Sequence, residues 1–569
     1  MSYVNFGCLE LNDFCLIKGF ESSDISIDKH IIFNDCLLYY GDLKIAVNNN
    51  SLLCLKGELY ELDLFKDSLN IDINLFNTTE LLLMYINKYG IDSINNLYGN
   101  FSFVYINDFG IYLGRDHIGI KSAYYFNDGK KLLLSSRKGE ILKRLDHIVV
   151  DKAGLCELLG MGPSNSLGKT IYKDLYEVNI GSYLKITDKL EEITYFELKD
   201  YEFKDSFDEA KEKLKSLLNK AIKRTLPAGK YASLLSGGID STIITLMAKE
   251  YNKDIASFSI NYEDNNKDYV ANSFETSSDA MNINYVTIPN KLKHNELLIT
   301  NDKIIENLKT AVLLRDAPGM TTIDSSLIYL LEGIKNKGYN KIFSGECSDE
   351  LVCGYPWSYA KKELNCFPWI RGTDIKNKLI NKSISIDLDK YIKNEYNSFL
   401  NKIKASNDDK LIYQLNINYF MQNLLKRASE IADGLGVCML VPFADKDFVK
   451  YLYNMNFNYK YENYTEKYIL REAYKNILPK EIYKRKKSPY PKSQSKKLAN
   501  SLIIELQKAL SEDSILNEII NKEELMKIIE TKDFDFPWYG QLLRKNELIA
   551  YLYQIHIWGK EYKIQLDLK

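Results

Sequence analysis

Six consecutive residues, Ser236-Gly237-Gly238-Ile239-Asp240-Ser241, bring together the groups needed to hold a polyphosphate. They follow a short apolar run at 231–235 (YASLL) and open a stretch of helical spacing that begins near Thr242. Glycines let a backbone approach phosphate closely. Amides at a helix start, together with serine hydroxyls, supply donors to the anion. Asp240 would repel phosphate unless a cation stood between them, so it implies Mg2+. Two glycines alone would mean only a strand–turn–helix; the whole hexapeptide in this context points to phosphate.

A second loop, Ser344-Gly345-Glu346-Cys347-Ser348-Asp349-Glu350, follows the apolar run 341–343 and continues to Gly354-Tyr355-Pro356-Trp357. Its three carboxylates within five residues would raise one another's pKa without a cation or bound base nearby. A third segment, Arg485-Lys486-Lys487-Ser488-Pro489-Tyr490-Pro491-Lys492, packs four cations around two prolines. Rigid turns carrying cations suit a leaving pyrophosphate, although this run taken alone reads better as a solvated basic face.

The elements around these loops fall into two textures. Residues 1–145 are dense in short apolar runs (101–106, 110–113, 131–136) broken by turn signals, with one helix predicted near 78–89 behind a Thr N-cap. From about 206 the spacing turns helical, at 206–225, 302–314, 324–337 and 411–432, with short strands at 231–235, 255–260 and 341–343. Strands alternating with helices predict a parallel, doubly wound sheet with its sites at the strand ends. The charged stretch at 195–206 divides the two textures.

Composition narrows the partners. With 569 residues, a hydrophobic share of 45% and no apolar run of 18, the chain predicts at least two globular domains and no membrane span. A net charge of −2, with both signs interleaved, argues against a nucleic-acid partner. Nine cysteines without a C-x-x-C pair and five scattered histidines offer no zinc spacing, and fit reduced thiols in the cytoplasm. Nothing at the amino terminus resembles a signal peptide.

The first loop resembles that of the ATP pyrophosphatases, which cleave ATP between its α and β phosphates; no Walker A pattern occurs. The three motifs, in this order and spacing, resemble the synthetase domain of the glutamine-hydrolysing asparagine synthetases. The likeness extends to 315–320 (RDAPGM), 441–443 (VPF), 470–473 (LREA), 537–541 (PWYGQ) and, nearer the start, 97–101 (LYGNF) and 114–121 (GRDHIGIK). It implies an Ntn-hydrolase-like αββα sandwich over 1–200, followed over 206–569 by a doubly wound parallel-sheet domain with a helical C-terminal part. It also implies ATP and Mg2+, a carboxylate substrate, an amine or ammonia nucleophile, and a possible homodimer. Carried over by motif, Ser236, Gly237, Gly238, Asp240 and Ser241 would cradle pyrophosphate, with Gly345 beside them. Asp240 and Asp349 would hold Mg2+, and Ile260 would meet adenine. Glu346 would deprotonate the amine that displaces AMP from an acyl-adenylate, while Lys487 would steady the leaving pyrophosphate.

Four departures touch the glutaminase half. The resemblance implies an N-terminal cysteine nucleophile, but residue 2 is Ser2 and the first cysteine is Cys8. No arginine precedes Arg115 to hold a glutamine carboxylate, and Glu61 follows Gly57-Glu58-Leu59-Tyr60 where an oxyanion-hole Asn is expected. Thr79 stands at an expected acidic position. A carboxylate facing a developing oxyanion repels it, so the domain reads as a remnant. The β-lactam synthetases and lasso-peptide cyclases, which lost glutaminase activity in a similar way, join an amine to an adenylated carboxylate. That reading, in specialised metabolism, stands ahead of an asparagine synthetase using aspartate with ammonia or glutamine, and of a non-catalytic ATP-binding pseudoenzyme. Altered residues at Cys353, Ser358, Cys438 and Met439 are expected to surround the acyl pocket.

Overall fold

The computed structural model describes residues 13–20, 29–265, 279–360, 364–403 and 405–569; Ser2 and Cys8 lie outside the described residues. The chain forms two compact units, Met1–Ile148 with Ser166–Lys199, and Val149–Asn165 with Asp200–Lys569.

Two six-stranded sheets make up the first unit. One runs, edge to edge, Leu175–Glu177, Tyr124–Asn127, Leu132–Ser135, Cys15–Lys18, Cys36–Tyr39, His30–Phe33. The other runs Leu190–Thr194, Ser182–Ile186, Gly110–Arg115, Tyr98–Asn107, Ser51–Tyr60, Ile45–Val47. All neighbours pair antiparallel. Successive side chains of a strand face opposite ways, and here both faces are buried. Leu52, Cys54, Val104, Ile106 and Leu113 join Phe14, Leu16, Leu38 and Leu134 in one core. The alternate residues Leu53, Leu55, Phe103 and Tyr105 pack with Leu81, Leu82, Tyr85 and Ile86 of the helix Thr78–Tyr89 in another. That helix begins one residue earlier than a cap at Thr78 would require. Asn77 caps it, accepting from Thr79 and Glu80, while Glu80 reaches back to the Asn77 N–H in a capping box. A short helix, Lys138–Leu142, meets the first sheet, where the Cys15 thiol donates to the Glu140 carbonyl. The unit is an αββα sandwich.

In the second unit a five-stranded parallel sheet is ordered Lys293–Ile299, Ala256–Tyr262, Ala232–Leu234, Lys341–Phe343, Cys438–Leu440. In chain order the strands run 3-2-1-4-5, so the direction of winding reverses between Ala232–Leu234 and Lys341–Phe343. Ligands of doubly wound sheets bind in the crevice at such a reversal. Helices Phe207–Thr225, Ile239–Tyr251, Asn301–Arg315 and Thr322–Asn336 accompany the strands, and the remainder is mostly helical, its last helix Lys545–Tyr562 followed by the short strand Gln565–Asp567.

Two expectations change here. The single helix predicted at 411–432 is Asp408–Leu415 and Met421–Gly434 joined by a π-helical turn, Asn416–Phe420. The fully buried Asn416 side chain there bonds Trp357 and Ser358, contacts that a regular helix would not have to serve. Residues 149–165, assigned by sequence to the first domain, belong to the second unit. Val149–Asp151 pairs with Gln565–Asp567, the Tyr391 hydroxyl donates to Glu157 at 2.6 Å, and the Lys376 ammonium donates to the Gly160 carbonyl at 2.9 Å. Among the described residues no helix is long and apolar enough to cross a membrane, and every cysteine is free.

Candidate active site

A cavity of about 220 Å3 opens at the winding reversal of the parallel sheet. Its walls include Ser236, Asp240, Ser241, Ile260, Gly345, Glu346, Asp349 and Lys487, which come from four separate stretches of sequence. Gly237 and Gly238 do not line it but shape the turn below. Gly237 has a φ of +68°, and a Cβ there would fall 2.7 Å from Asn282 Cβ, so only glycine fits. No side chain caps the helix Ile239–Tyr251, which leaves its first-turn amides for an anion. The second loop presses against this turn. A Cβ on Gly345 would lie 2.8 Å from the Ser241 nitrogen.

Charges converge where the loops meet. The Lys467 ammonium contacts Asp240 Oδ2 and lies 2.5 Å from Asp349 Oδ1; Lys487 Nζ lies 2.8 Å from Asp349 Oδ2. Ser348 Oγ donates to Asp240 Oδ1 at 2.6 Å. Burial alone would raise the Asp349 pKa, but Lys467 and Lys487 hold it below the usual carboxylate range. Burial would likewise lower the Lys467 ammonium, and the two aspartates raise it instead. The adjacent Glu350 is pushed up by burial and by Asp349, and accepts from the Tyr355 hydroxyl at 2.8 Å.

Two carboxylate oxygens thus meet around one cation position beside the glycine-rich turn. That donor set fits Mg2+, a hard cation that takes oxygen ligands. Among the described residues no group of three or more His, Cys, Asp or Glu side chains gathers at one point, so further ligands would have to be phosphate oxygens or water.

Glu346 stands on another wall. Burial raises its pKa above the ordinary 4.5, against the pull of Arg427, whose Nη1 is 3.8 Å away. Arg427 Nε also lies 2.9 Å from Asp324, which pairs with Arg315 at 3.0 Å. The guanidinium is therefore fixed from behind while it faces the cavity.

Residues 485–492 are not a solvated face. Arg485 donates to the Ser236 carbonyl and pairs with Asp279 at 2.5 Å, Lys487 reaches Asp349, and Lys492 pairs with Glu547 at 3.2 Å. The Tyr262 hydroxyl donates to the Pro491 carbonyl at 2.6 Å. The expectation that Cys353, Ser358, Cys438 and Met439 surround the acyl pocket fails: none of them lines the cavity. The Cys353 thiol is buried against the Tyr413 hydroxyl, Ser358 is bonded by Asn416, and the other two sit in the strand Cys438–Leu440. Lys467 was not picked out from the sequence. Its one signal is its place three residues before Leu470-Arg471-Glu472-Ala473, a segment already carrying the family resemblance.

The cavity at the winding reversal, with a glycine-rich turn and two aspartates on its walls, gives the class of the second unit, a doubly wound α/β domain with its site at the strand ends. The asparagine synthase family profile matches residues 213–560, and a glutamine amidotransferase domain profile matches 44–197. Over 97% of its length the chain is 31% identical to asparagine synthetase 3 of Bacillus subtilis, covering 95% of that protein. Asparagine synthetase 1 of the same organism is 23% identical over 92% of this chain and 89% of its own. The rat asparagine synthetase is 24% identical over 77% of this chain and 71% of its own. The chain belongs to the asparagine synthase family, ATP-dependent ligases that form C–N bonds and release AMP and pyrophosphate.

Proposed function

We propose that this chain builds amide bonds in specialised metabolism, adenylating a substrate carboxylate and passing the acyl group to an amine, with the amino-terminal unit kept as a scaffold. The observation that carries the synthetase half is the meeting of Asp240 and Asp349 around one cation position beside the 236–241 turn. In this reading Ser236, Ser241 and the helix amides bind the pyrophosphate portion of ATP, and Ile260 lies against the adenine. Mg2+, held by Asp240 and Asp349, would offset phosphate charge as the α phosphorus is attacked. A substrate carboxylate oxygen forms the new P–O bond, and the bond to the bridging oxygen breaks with its electron pair leaving on pyrophosphate. Lys487 meets that departing charge. The amine nitrogen then attacks the acyl carbon, Glu346 takes its proton, and AMP leaves.

The scaffold half of the proposal rests on Glu61, on Thr79 and on the absence of any arginine before Arg115. The identity to asparagine synthetase 3 along 97% of the chain favours a second reading, aspartate with ammonia or glutamine. One assay separates them: pyrophosphate release from ATP, screened across carboxylates with ammonia, amines or glutamine added. Release with aspartate and ammonia alone selects the second reading. Release with a larger carboxylate and an amine selects the first, and ATP binding without release with any of them identifies a pseudoenzyme.

A further inference from the structure

We infer that Ser348 is a positioning residue for Asp240, latching the acidic loop to the glycine-rich turn so that one chosen oxygen of Asp240 faces the cation position. The inference rests on the reading of Asp240 and Asp349 as the Mg2+ pair. Ser348 is 1% exposed, and its hydroxyl reaches Asp240 Oδ1 at 2.6 Å across 108 residues of sequence. A carboxylate on a free side chain rotates and offers either oxygen. With Oδ1 taken by Ser348, the plane is set and Oδ2 turns to Lys467, the ammonium that also meets Asp349 Oδ1. Ser348 thus decides which edge of Asp240 joins Asp349 in facing a common cation.

The backbone is shaped to place that hydroxyl. Cys347, immediately before it, has a φ of +74°, a left-handed conformation that side chains other than glycine rarely adopt. The chain then enters the helix Ser348–Leu351, which carries Ser348 and Asp349 on consecutive residues. Gly345 allows the two loops to touch, and Gly354 leaves room for Asp349, whose Oδ1 would sit 1.9 Å from a Cβ there. The loops approach through glycines and are joined by one hydroxyl. Partners that orient a metal ligand in this way typically matter by about 10–100-fold in metal affinity.

The test uses Mn2+ as the probe, with ATP and full-length protein but no carboxylate substrate, read by electron paramagnetic resonance of free Mn2+. Ser348→Ala is expected to weaken Mn2+ binding in the presence of ATP by about 10–100-fold. ATP affinity in EDTA should stay unchanged, and Ser348→Thr should restore the metal. If Ser348→Ala does not fold, Ser348→Cys, which keeps the volume but donates weakly, should fall between wild type and no binding. Mn2+ binding by Ser348→Ala or Ser348→Cys at wild-type strength overturns the inference. So does an equal loss of ATP affinity with and without metal, which would make the hydroxyl a loop-shaping contact only. Wild-type protein that binds no Mn2+ with ATP overturns the reading of the metal pair itself, and Ser348's role with it.

Discussion

Asp116, buried in the first unit, and Asp349, half-buried in the second, both stand beside cations in segments that carry the family resemblance, yet their surroundings differ in kind. Asp116 accepts from the backbone amides of Ile118, Gly119, Ile120 and Lys121, at 2.7 to 3.1 Å, all within its own loop. Its neighbour Arg115 donates to the carbonyls of Gly119, Lys121 and Val178 and pairs with Glu177 at 3.1 Å. These bonds close a turn. Asp349 instead meets the ends of two long lysine side chains, at 2.5 and 2.8 Å, on the wall of a cavity. A charge satisfied by its own loop's amides is committed to structure. One satisfied by lysine ends can give them up to a phosphate or a metal without unfolding anything.

The largest test of that contrast is at the cavity. Asp240→Asn and Asp349→Asn are each expected to lower ATP–pyrophosphate exchange more than about a hundredfold at ordinary Mg2+, since each removes a ligand charge that orienting partners alone influence 10–100-fold. Near-normal exchange in either variant would return that aspartate to the structural class of Asp116.

Glu346→Gln should divide the reaction. Amide formation should fall by about a hundredfold or more while adenylation is largely spared, because a base is needed only in the second step. The sign with pH follows from burial, which raises the Glu346 carboxyl above 4.5 despite Arg427. The base works ionised, so wild-type amide formation should fall as pH drops through that raised value, and Glu346→Gln should lose this acid limb. An equal loss in both steps would move Glu346 to ATP binding.

Asp116→Asn should do the reverse of the cavity variants. It takes acceptor charge from a set of buried amides and should cost about 1–3 kcal/mol of stability, seen as a lower Tm. Exchange per folded molecule should stay at the wild-type level. A large loss of exchange without a change in Tm would mean the loop carries more than the fold.

The smallest expected signal is from the first unit. Purified protein should release no glutamate from glutamine, with or without ATP, beyond a Ser2→Ala control. A lysine would have to replace the bidentate arginine, and an oxyanion opposite Glu61 would be repelled where losing even one donor costs roughly a hundred- to a thousandfold. Glutamate release that vanishes in Ser2→Ala would make the unit a serine-dependent amidotransferase.

Much of the fold was written locally. The period-2 runs of the first unit and the strand–helix alternation of the second follow from side-chain geometry within a few residues. The 236–241 turn was legible for the same reason: glycine at a positive φ before a helix start is a local requirement. Lys467 was not legible, because a single lysine in Thr-Glu-Lys-Tyr has no spacing to distinguish it from a solvated one. Nor was the role of residues 485–492, whose composition reads as solvated until Asp279, Asp349 and Glu547 are seen opposite. Cys353, Ser358, Cys438 and Met439 erred the other way, since unusual residues near a motif in sequence can still be buried, as Cys353, Ser358 and Met439 are, or lie half-buried in a strand off the cavity, as Cys438 does.

Sequence by itself determined which residues could hold phosphate and metal, because glycine's freedom and the charge of aspartate are properties of single residues and short turns. Only the tertiary structure decided which of them act together. Whether a charge closes a loop, as Asp116 does, or faces a cavity with partners from 108 and more residues away, as Asp240 does with Ser348 and Lys467, depends on what the fold sets opposite it. Electrostatic energy falls with distance through space rather than along the chain, and that distance is fixed by the sheet order and the packing of two loops at its reversal.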